Sequence, residues 1–286
     1  MIDLHTHTTA SDGRLTAEEL VARAAAAGIT TLAVTDHDTV ASCAAAAAAC
    51  QRAGLTFVPG IEITSMREAR DIHVLGYFFD YRSPHLLELL AEQRRNRIAR
   101  ARQMMDKLGR HGIALDQDEI LAPALADQSR SVGRPWIARA LVSGGHVATT
   151  SEAFDHWLSR GRPAFVARIG PSPAEVASCV RGAGGLTSIA HPGLLGRDDW
   201  LQDFARVGVD ALEAFHSKHD ADTTARYVAL AVRLGLAVSG GSDYHADESH
   251  GADQFGVVHL PAEYYDRLLA RRPTSRATAS GAETSS

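Results

Sequence analysis

Every segment of this chain that reads as a β-strand carries a histidine or a carboxylate at or close to its end. Ile2 to His7 is a short strand. Thr16-Ala17-Glu18-Glu19 then forms a capping box, opening a helix that Gly28 closes. Thr30 to Val34 is an apolar strand, and Ala44 to Ala53 is an Ala-rich helical stretch. Phe57 to Ile63 and Ile72 to Phe79 read as two further strands. Later, Ser172-Pro173-Ala174-Glu175 is a second capping box with Pro at the first helical position. Strands follow at Leu186 to Ala190, Val209 to Glu213 and Leu236 to Gly240. Repeated βα units imply a parallel sheet with helices outside it. The expected fold class is α/β, a distorted (β/α)7-type barrel, with an open sheet as the structural alternative.

The alternation is interrupted from about Pro84 to Leu158, where helical signals dominate. This predicts an inserted all-helical subdomain over 84–158. The barrel then comprises 1–83 and 159–270, and the Ser/Thr/Ala-rich 271–286 is expected to be a disordered tail. With 286 residues, 45% of them hydrophobic, the chain can bury a sizeable core. A formal net charge of -5 argues against a broad basic surface for duplex DNA. The three cysteines, Cys43, Cys50 and Cys179, form no C-x-x-C pair, so no disulfide framework is expected. No basic-then-apolar leader opens the chain, and no window approaches a membrane span. A cytoplasmic protein with no membrane association and no obligate protein partner is expected.

The histidines carry the chemistry. His5 and His7 are two apart on one strand, so their side chains share a face with Asp3. Alone, that pair is a weak signal. Read with the other strand ends it gains weight: Asp12 in the first βα loop, His37 after the second strand, Glu62 closing the third and His73 in the fourth. His191 follows the fifth strand, Glu213 and His216 the sixth, and Asp243 and His245 the seventh. In a parallel barrel all of these face one C-terminal rim. Imidazoles mixed with carboxylates, without thiolates, suit Mn²⁺, Fe²⁺ or Zn²⁺, with Mg²⁺ also compatible. The ligands exceed the needs of one ion, so two or three are expected, with a carboxylate bridging. Such a cluster activates water and neutralises phosphoryl oxygens.

The motifs Asp3-Leu4-His5-Thr6-His7, Ser11-Asp12-Gly13, Thr35-Asp36-His37-Asp38, Gly60-Ile61-Glu62, His73-Val74-Leu75-Gly76, Ala190-His191-Pro192-Gly193 and Gly240-Gly241-Ser242-Asp243-Tyr244-His245 together resemble the PHP (polymerase and histidinol phosphatase) family. The helical segment, with Gly133-Arg134-Pro135, is similar to the branch of 3′,5′-bisphosphate nucleotide phosphatases and 5′→3′ exoribonucleases. The resemblance implies a first metal on His5, His7, Glu62 and Asp243. It implies a second on Glu62, His73 and His191, and a third on Asp12, His37 and His245. Many relatives have histidine where Asp12 stands, and Trp136 occupies a position where some carry histidine. Catalytic roles fall on Glu62, Asp243, His191 and His245.

Outside the ligands, Arg134 is a candidate phosphate clamp, and Lys218 and His219 are candidate phosphate or proton contacts. Asp36 reads as an orienting carboxylate. Arg94, Arg95, Arg97, Arg100 and Arg102 lie on one helix and read as a solvated face, with RNA contact as the alternative. The expected function is hydrolysis of a nucleotide phosphate ester by metal-activated hydroxide, first of all the 3′-phosphate of a nucleoside 3′,5′-bisphosphate. The alternatives are 5′→3′ exonuclease action on short 5′-phosphorylated RNA, histidinol phosphatase activity, and a non-catalytic metal-binding module.

Overall fold

The computed structural model describes residues 1–127, 131–246 and 255–273. Most of the expected tail, 274–286, lies outside the described residues. Seven strands form one sheet whose spatial order follows the chain: β1 (Ile2–Asp3), β2 (Thr31–Val34), β3 (Thr56–Arg67), β4 (Arg70–Tyr77), β5 (Leu186–Ile189), β6 (Ala211–His216) and β7 (Ala237–Gly241). The seam between β7 and the chain after β1 is bonded. Leu4 N–H donates to Gly240 O at 3.2 Å, Asp243 N–H to His5 O at 2.8 Å and His7 N–H to Tyr244 O at 2.9 Å. These bonds make the sheet a nearly closed barrel rather than the open alternative. Gly241 permits the approach, because a Cβ there would lie 2.3 Å from His5 N.

The expectation of an all-parallel sheet needs one correction. β4 runs antiparallel to both β3 and β5, while the other pairs are parallel. β3 and β4 form a hairpin with Arg67 opposite Arg70, closed by Glu68 and Ala69 at φ 48° and 58°. Two consecutive positive φ values are the signature of a two-residue hairpin turn, normally written with Asn or Gly. Glu-Ala hides that turn from the sequence. His73 therefore stands opposite Thr64 within a hairpin, not at the C-terminal end of a parallel strand.

Helices pack outside the sheet. α1 (Ala17–Ala26) and α2 (Cys43–Ala53) cover β2 through a cluster including Leu20, Val21, Leu32 and Cys50. The capping box at Thr16 forms as expected, as does the one at Ser172. Between β4 and β5 lie α3 (Pro84–Arg110), α4 (Gln117–Ala126), α5 (Arg134–Ser143) and α6 (Thr150–Ala153), the last continuing as a π-turn over Phe154–Leu158. These elements share their own apolar cluster, which includes Met104, Leu108, Ile137, Leu141 and Leu158 and reaches Ala164. Leu86 and Leu90, at the start of α3, belong to the barrel core instead.

Two of the arginines of α3 depart from the solvated face expected of that helix. Arg95 and Arg102 are exposed, but Arg97 and Arg100 are buried. Arg97 donates through Nε to Asp38 at 2.6 Å, through Nη1 to Val132 O at 3.0 Å and through Nη2 to Thr64 Oγ1 at 3.2 Å. Arg100 donates to Val166 O at 2.8 Å. Fixed internal partners, not water or RNA, hold these two. Among the described residues no helix is long and apolar enough to cross a membrane.

Closure at Gly241 gives a direct test of the seam. Gly241→Ala is expected to lower unfolding stability by about 1–3 kcal/mol through overpacking against the backbone of His5. A wild-type midpoint in urea unfolding would show that the seam tolerates a side chain.

Candidate metal centre

The strand expected over Ile2 to His7 ends at Asp3; at the end of the barrel where β1, β2, β6 and β7 finish, the chain after β1, bridged at Thr6 to Tyr244, brings His5 and His7 together against Glu62 and Asp243. His5 Nε2 lies 3.5 Å from Glu62 Oε2 and 3.2 Å from Asp243 Oδ1. His7 Nε2 lies 3.4 Å and 3.2 Å from the same two oxygens. The other oxygen of Glu62, Oε1, is 2.8 Å from His73 Nδ1 and 3.2 Å from His191 Nε2. His37 Nδ1 is 3.0 Å from Glu62 Oε2, and its Nε2 is 3.6 Å from Asp12 Oδ2. His245 Nε2 lies 3.3 Å from Asp12 Oδ1. The structure thus brings together all nine residues singled out as ligands in the sequence. Among the described residues eight of them fall into overlapping groups, each with its donor atoms within 4.8 Å of one another, and His191 joins them through Glu62.

A ring of residues behind these groups orients them. His5 Nδ1 donates to Glu213 Oε1 at 2.9 Å, which leaves Nε2 as a lone pair facing the cluster. Glu213 Oε2 accepts the backbone N–H of His191 at 2.7 Å. His245 Nδ1 donates to Asp243 O at 2.9 Å, so its Nε2 likewise faces inward. Asp36 accepts from Thr8 N and Thr8 Oγ1 at 2.7 Å, Ser11 Oγ at 2.7 Å and Ser42 Oγ at 2.5 Å, tying the loops that carry Asp12 and His37. The sequence places Glu213 and His216 on the rim without assigning them a role. A bulge in β6 explains their joint placement: Glu213 pairs with Ser239 and Phe215 with Gly240, so Ala214 is the extra residue. The bulge turns Glu213 and His216 to the same side, against the alternation of a regular strand. A carboxylate inside an otherwise apolar strand was the available signal.

Three residues of the site hold left-handed backbone without being glycine: Asp38 (φ 51°), His191 (φ 29°) and Asp243 (φ 56°). Such conformations persist where the surroundings over-determine them.

The electrostatics are those of a closely packed, buried set of acids and bases. Burial opposes ionisation of Glu62, but His37, His73 and His5 outweigh it and hold its carboxyl well below the ordinary range. Burial likewise opposes ionisation of Asp12 and Asp243, and the imidazoles beside each prevail. Desolvation pushes His37 down to about 3, while His245, despite its burial, is raised to about 10 beside Asp12. His5 Nε2, both ring nitrogens of His7, His37 Nδ1, His73 Nδ1 and Glu62 Oε2 are buried and complete no hydrogen bond, although carboxylates and imidazoles crowd them. Buried polar atoms without partners are costly, and divalent cations supply the missing partner for this N/O donor set. The residues fit metal ions.

The cluster forms one side of a cleft of about 1070 Å³. The helical segment supplies another wall, with Arg134, Trp136, Arg139 and Phe154, and the chain before α7 (Pro173–Gly182) supplies Arg168. Arg134 lies over the Phe154 ring at 5.6 Å and 4.0 Å from Asp71 Oδ2. Arg168 is almost fully buried, 3.5 Å from Asp38 Oδ2 and from Asp71 Oδ2. Arg14, Arg139 and Arg168 belong to no motif, and sequence reasoning missed them. Lys218 and His219 require a correction, since neither lines the cleft. Lys218 is exposed. His219 donates through Nδ1 to Ala214 O at 2.9 Å and accepts from Gly193 N at 3.2 Å, so both of its nitrogens brace the backbone.

The PHP domain family profile matches residues 3–115. The chain is 36% identical over 265 residues to the 3′,5′-nucleoside bisphosphate phosphatase of Chromobacterium violaceum, covering 91% of this chain and 92% of that protein. It is 37% identical over 250 residues to a 5′-3′ exoribonuclease of Haemophilus influenzae, covering 85% and 89%. A solved structure described as a metal-dependent phosphoesterase from Bifidobacterium adolescentis superposes with a TM-score of 0.85 at 31% identity, covering 96% of both chains.

Glu62→Ala and Asp243→Ala are each expected to abolish tight metal binding at the first cluster, as read by metal analysis of the purified proteins. Glu213→Gln is expected to weaken affinity about 10- to 100-fold while the site survives, because it acts through His5. Wild-type metal content in both alanine variants would sink the assignment.

Proposed function

This chain belongs to the PHP domain family, and on that premise we propose that it hydrolyses a phosphate ester of a nucleotide, the 3′-phosphate of a nucleoside 3′,5′-bisphosphate. The observation that carries the reading is one cleft with a buried His/carboxylate cluster on one side and arginines on another. In this reading His5, His7, Glu62 and Asp243 hold one divalent ion. Glu62, with His73 and His191, holds a second, and Asp12, His37 and His245 a third. Manganese is the ion proposed first. When bound, these ions supply an activated water and positive charge for the phosphoryl oxygens.

The chain's own residues do the rest. Glu62 is shared because its two oxygens face different histidines. Glu213 keeps His5 in the tautomer that leaves Nε2 available. Glu62, Asp243, His191 and His245 stand nearest the reacting phosphate and are proposed as its catalytic surroundings. Arg134, with Arg139 on the same wall and Arg168 on the neighbouring one, receives the second phosphate. Lys218 and His219 drop out of that role. A phosphate remote from the reacting one supplies binding energy that positions the scissile group. Segment 84–158 is proposed as the insertion that brings most of this cationic wall over the barrel.

One observation favours a second reading. The identity to an exoribonuclease, 37%, is level with the 36% to the bisphosphate phosphatase, though over 85% rather than 91% of the chain, and a cleft of about 1070 Å³ leaves room for more than one nucleotide unit. The same residues would then act on a diester next to a bound 5′-phosphate.

With manganese, adenosine 3′,5′-bisphosphate is expected to show a kcat/KM at least about tenfold above that of adenosine 3′-monophosphate. A 5′-phosphorylated dinucleotide cut faster than the bisphosphate would give the exonuclease reading precedence. Equal rates on the mono- and bisphosphate would remove the second-phosphate site. Arg134→Ala is expected to cost about 10- to 100-fold in kcat/KM on the bisphosphate with metal content unchanged. Loss of metal in this variant would make Arg134 part of the scaffold instead.

A further inference from the structure

We infer that His219 is a positioning residue for the second metal, holding the loop after β5 so that His191 faces Glu62. The inference rests on the assignment of His191 to that metal and deepens it.

His191 stands where a chain does not go unaided. It follows β5 at φ 29°, in left-handed backbone that a β-carbon disfavours. Its ring nevertheless reaches the cluster, with Nε2 3.2 Å from Glu62 Oε1. The surroundings must therefore hold the backbone in place. Ala190 N–H donates to His73 O at 3.0 Å, which ties the end of β5 to β4. Beyond that residue two side chains from β6 and the turn after it take over. Glu213 Oε2 accepts the N–H of His191 at 2.7 Å, and His219 Nε2 accepts the N–H of Gly193 at 3.2 Å. The strained residue is pinned at its own N–H and again two residues on.

The other nitrogen of His219 closes the device. Nδ1 donates to Ala214 O at 2.9 Å, the carbonyl of the bulged residue. The bulge that turns Glu213 inward is thus joined through His219 to the loop that Glu213 also holds. The ring itself is fixed. It lies 5.2 Å from the His216 ring and 5.3 Å from that of Tyr227, which is buried and donates through its hydroxyl to Asp198 Oδ1 at 2.8 Å. The backbone N–H of His219 donates to His216 O at 3.0 Å. Burial holds the imidazole below its ordinary pKa, so the ring stays neutral and keeps the lone pair that Gly193 needs. Gly193 is fitted to it, because a β-carbon there would lie 2.7 Å from His219 Nε2. Glu213 also bonds His5 and so bears on two metals. The side chain of His219 bonds only backbone, that of the bulge and that of the His191 loop.

The test compares wild type, His219→Ala, His219→Gln and Gly193→Ala, each checked for a cooperative thermal transition. Manganese-loaded proteins are dialysed against graded manganese and the bound metal is counted. Anomalous peak heights from crystals equilibrated at limiting manganese then assign each loss to a position. In His219→Ala the ion on His73 and His191 is expected to bind about 10- to 100-fold more weakly, and the ion on His5, His7 and Asp243 to change by less than about threefold. His219→Gln should recover most of the loss, because its amide carries both a donor and an acceptor. Gly193→Ala should weaken the same ion from the other side of the bond, by displacing the ring, and should add little when combined with His219→Ala. It carries the test by itself if His219→Ala does not fold.

Equal weakening of both ions, or wild-type affinity for the second ion in His219→Ala and Gly193→Ala alike, would overturn the inference while the metal assignment stands. A wild-type protein that places no ion on His73 and His191 at saturating manganese would overturn both.

Discussion

The rest of this structure depends on one buried carboxylate. Glu62 is fully enclosed, and its two oxygens are divided among five imidazoles: His5, His7 and His37 around Oε2, His73 and His191 around Oε1. A charge so placed is tolerable only if its neighbours compensate it. The neighbours come from the chain just after β1, the loop after β2, the hairpin strand β4 and the loop after β5. Holding them about one carboxylate therefore fixes how these parts of the barrel meet. The same crowding leaves lone pairs directed at shared points, which is the condition for binding cations rather than for an ordinary ion-pair network.

Three devices of the fold deliver that arrangement. The bonded seam at Gly241 sets Asp243 against His5 and His7. The β3–β4 hairpin returns the chain so that His73 lies near Glu62 without an intervening helix. The bulge at Ala214 turns Glu213 and His216 inward together. A fourth device ties the helical segment to the cluster. Asp38, next to His37, accepts from Arg97 of α3, and Arg97 also holds Val132 O, two residues before Arg134. The arginine wall and the metal loop are therefore positioned by one buried guanidinium.

Local periodicity made much of this legible in the sequence. Residues two apart on a strand share a face, and residues just past parallel strands share a rim, so His5, His7, Asp12, His37, Glu62, His191, Asp243 and His245 were found without contacts being known. His73 was found for a partly wrong reason, because the direction of β4 depends on a Glu68-Ala69 turn that carries no sequence signal. Glu213 depends on a bulge, which breaks the periodicity that the reading used. Arg168 and Arg139 reach the cleft through packing of the helical segment and the chain after it, which no short-range pattern encodes. Lys218 and His219 show the opposite error. They follow a strand, yet the chain turns back there and His219 bonds the carbonyl of Ala214. Arg97 was read as surface because a helix bearing five arginines usually is, whereas the buried carboxylate of Asp38 draws it inward.

The central claim is that the donor atoms around Glu62 are a set of metal sites sharing that carboxylate. Anomalous diffraction from crystals grown with manganese, recorded on both sides of its absorption edge, tests it most directly. The account predicts at least two peaks, one bonded to His5, His7 and Asp243, another to His73 and His191, with Glu62 contributing to both. Peaks elsewhere on the chain, or a single ion that leaves one oxygen of Glu62 hydrogen-bonded only to protein, would contradict it.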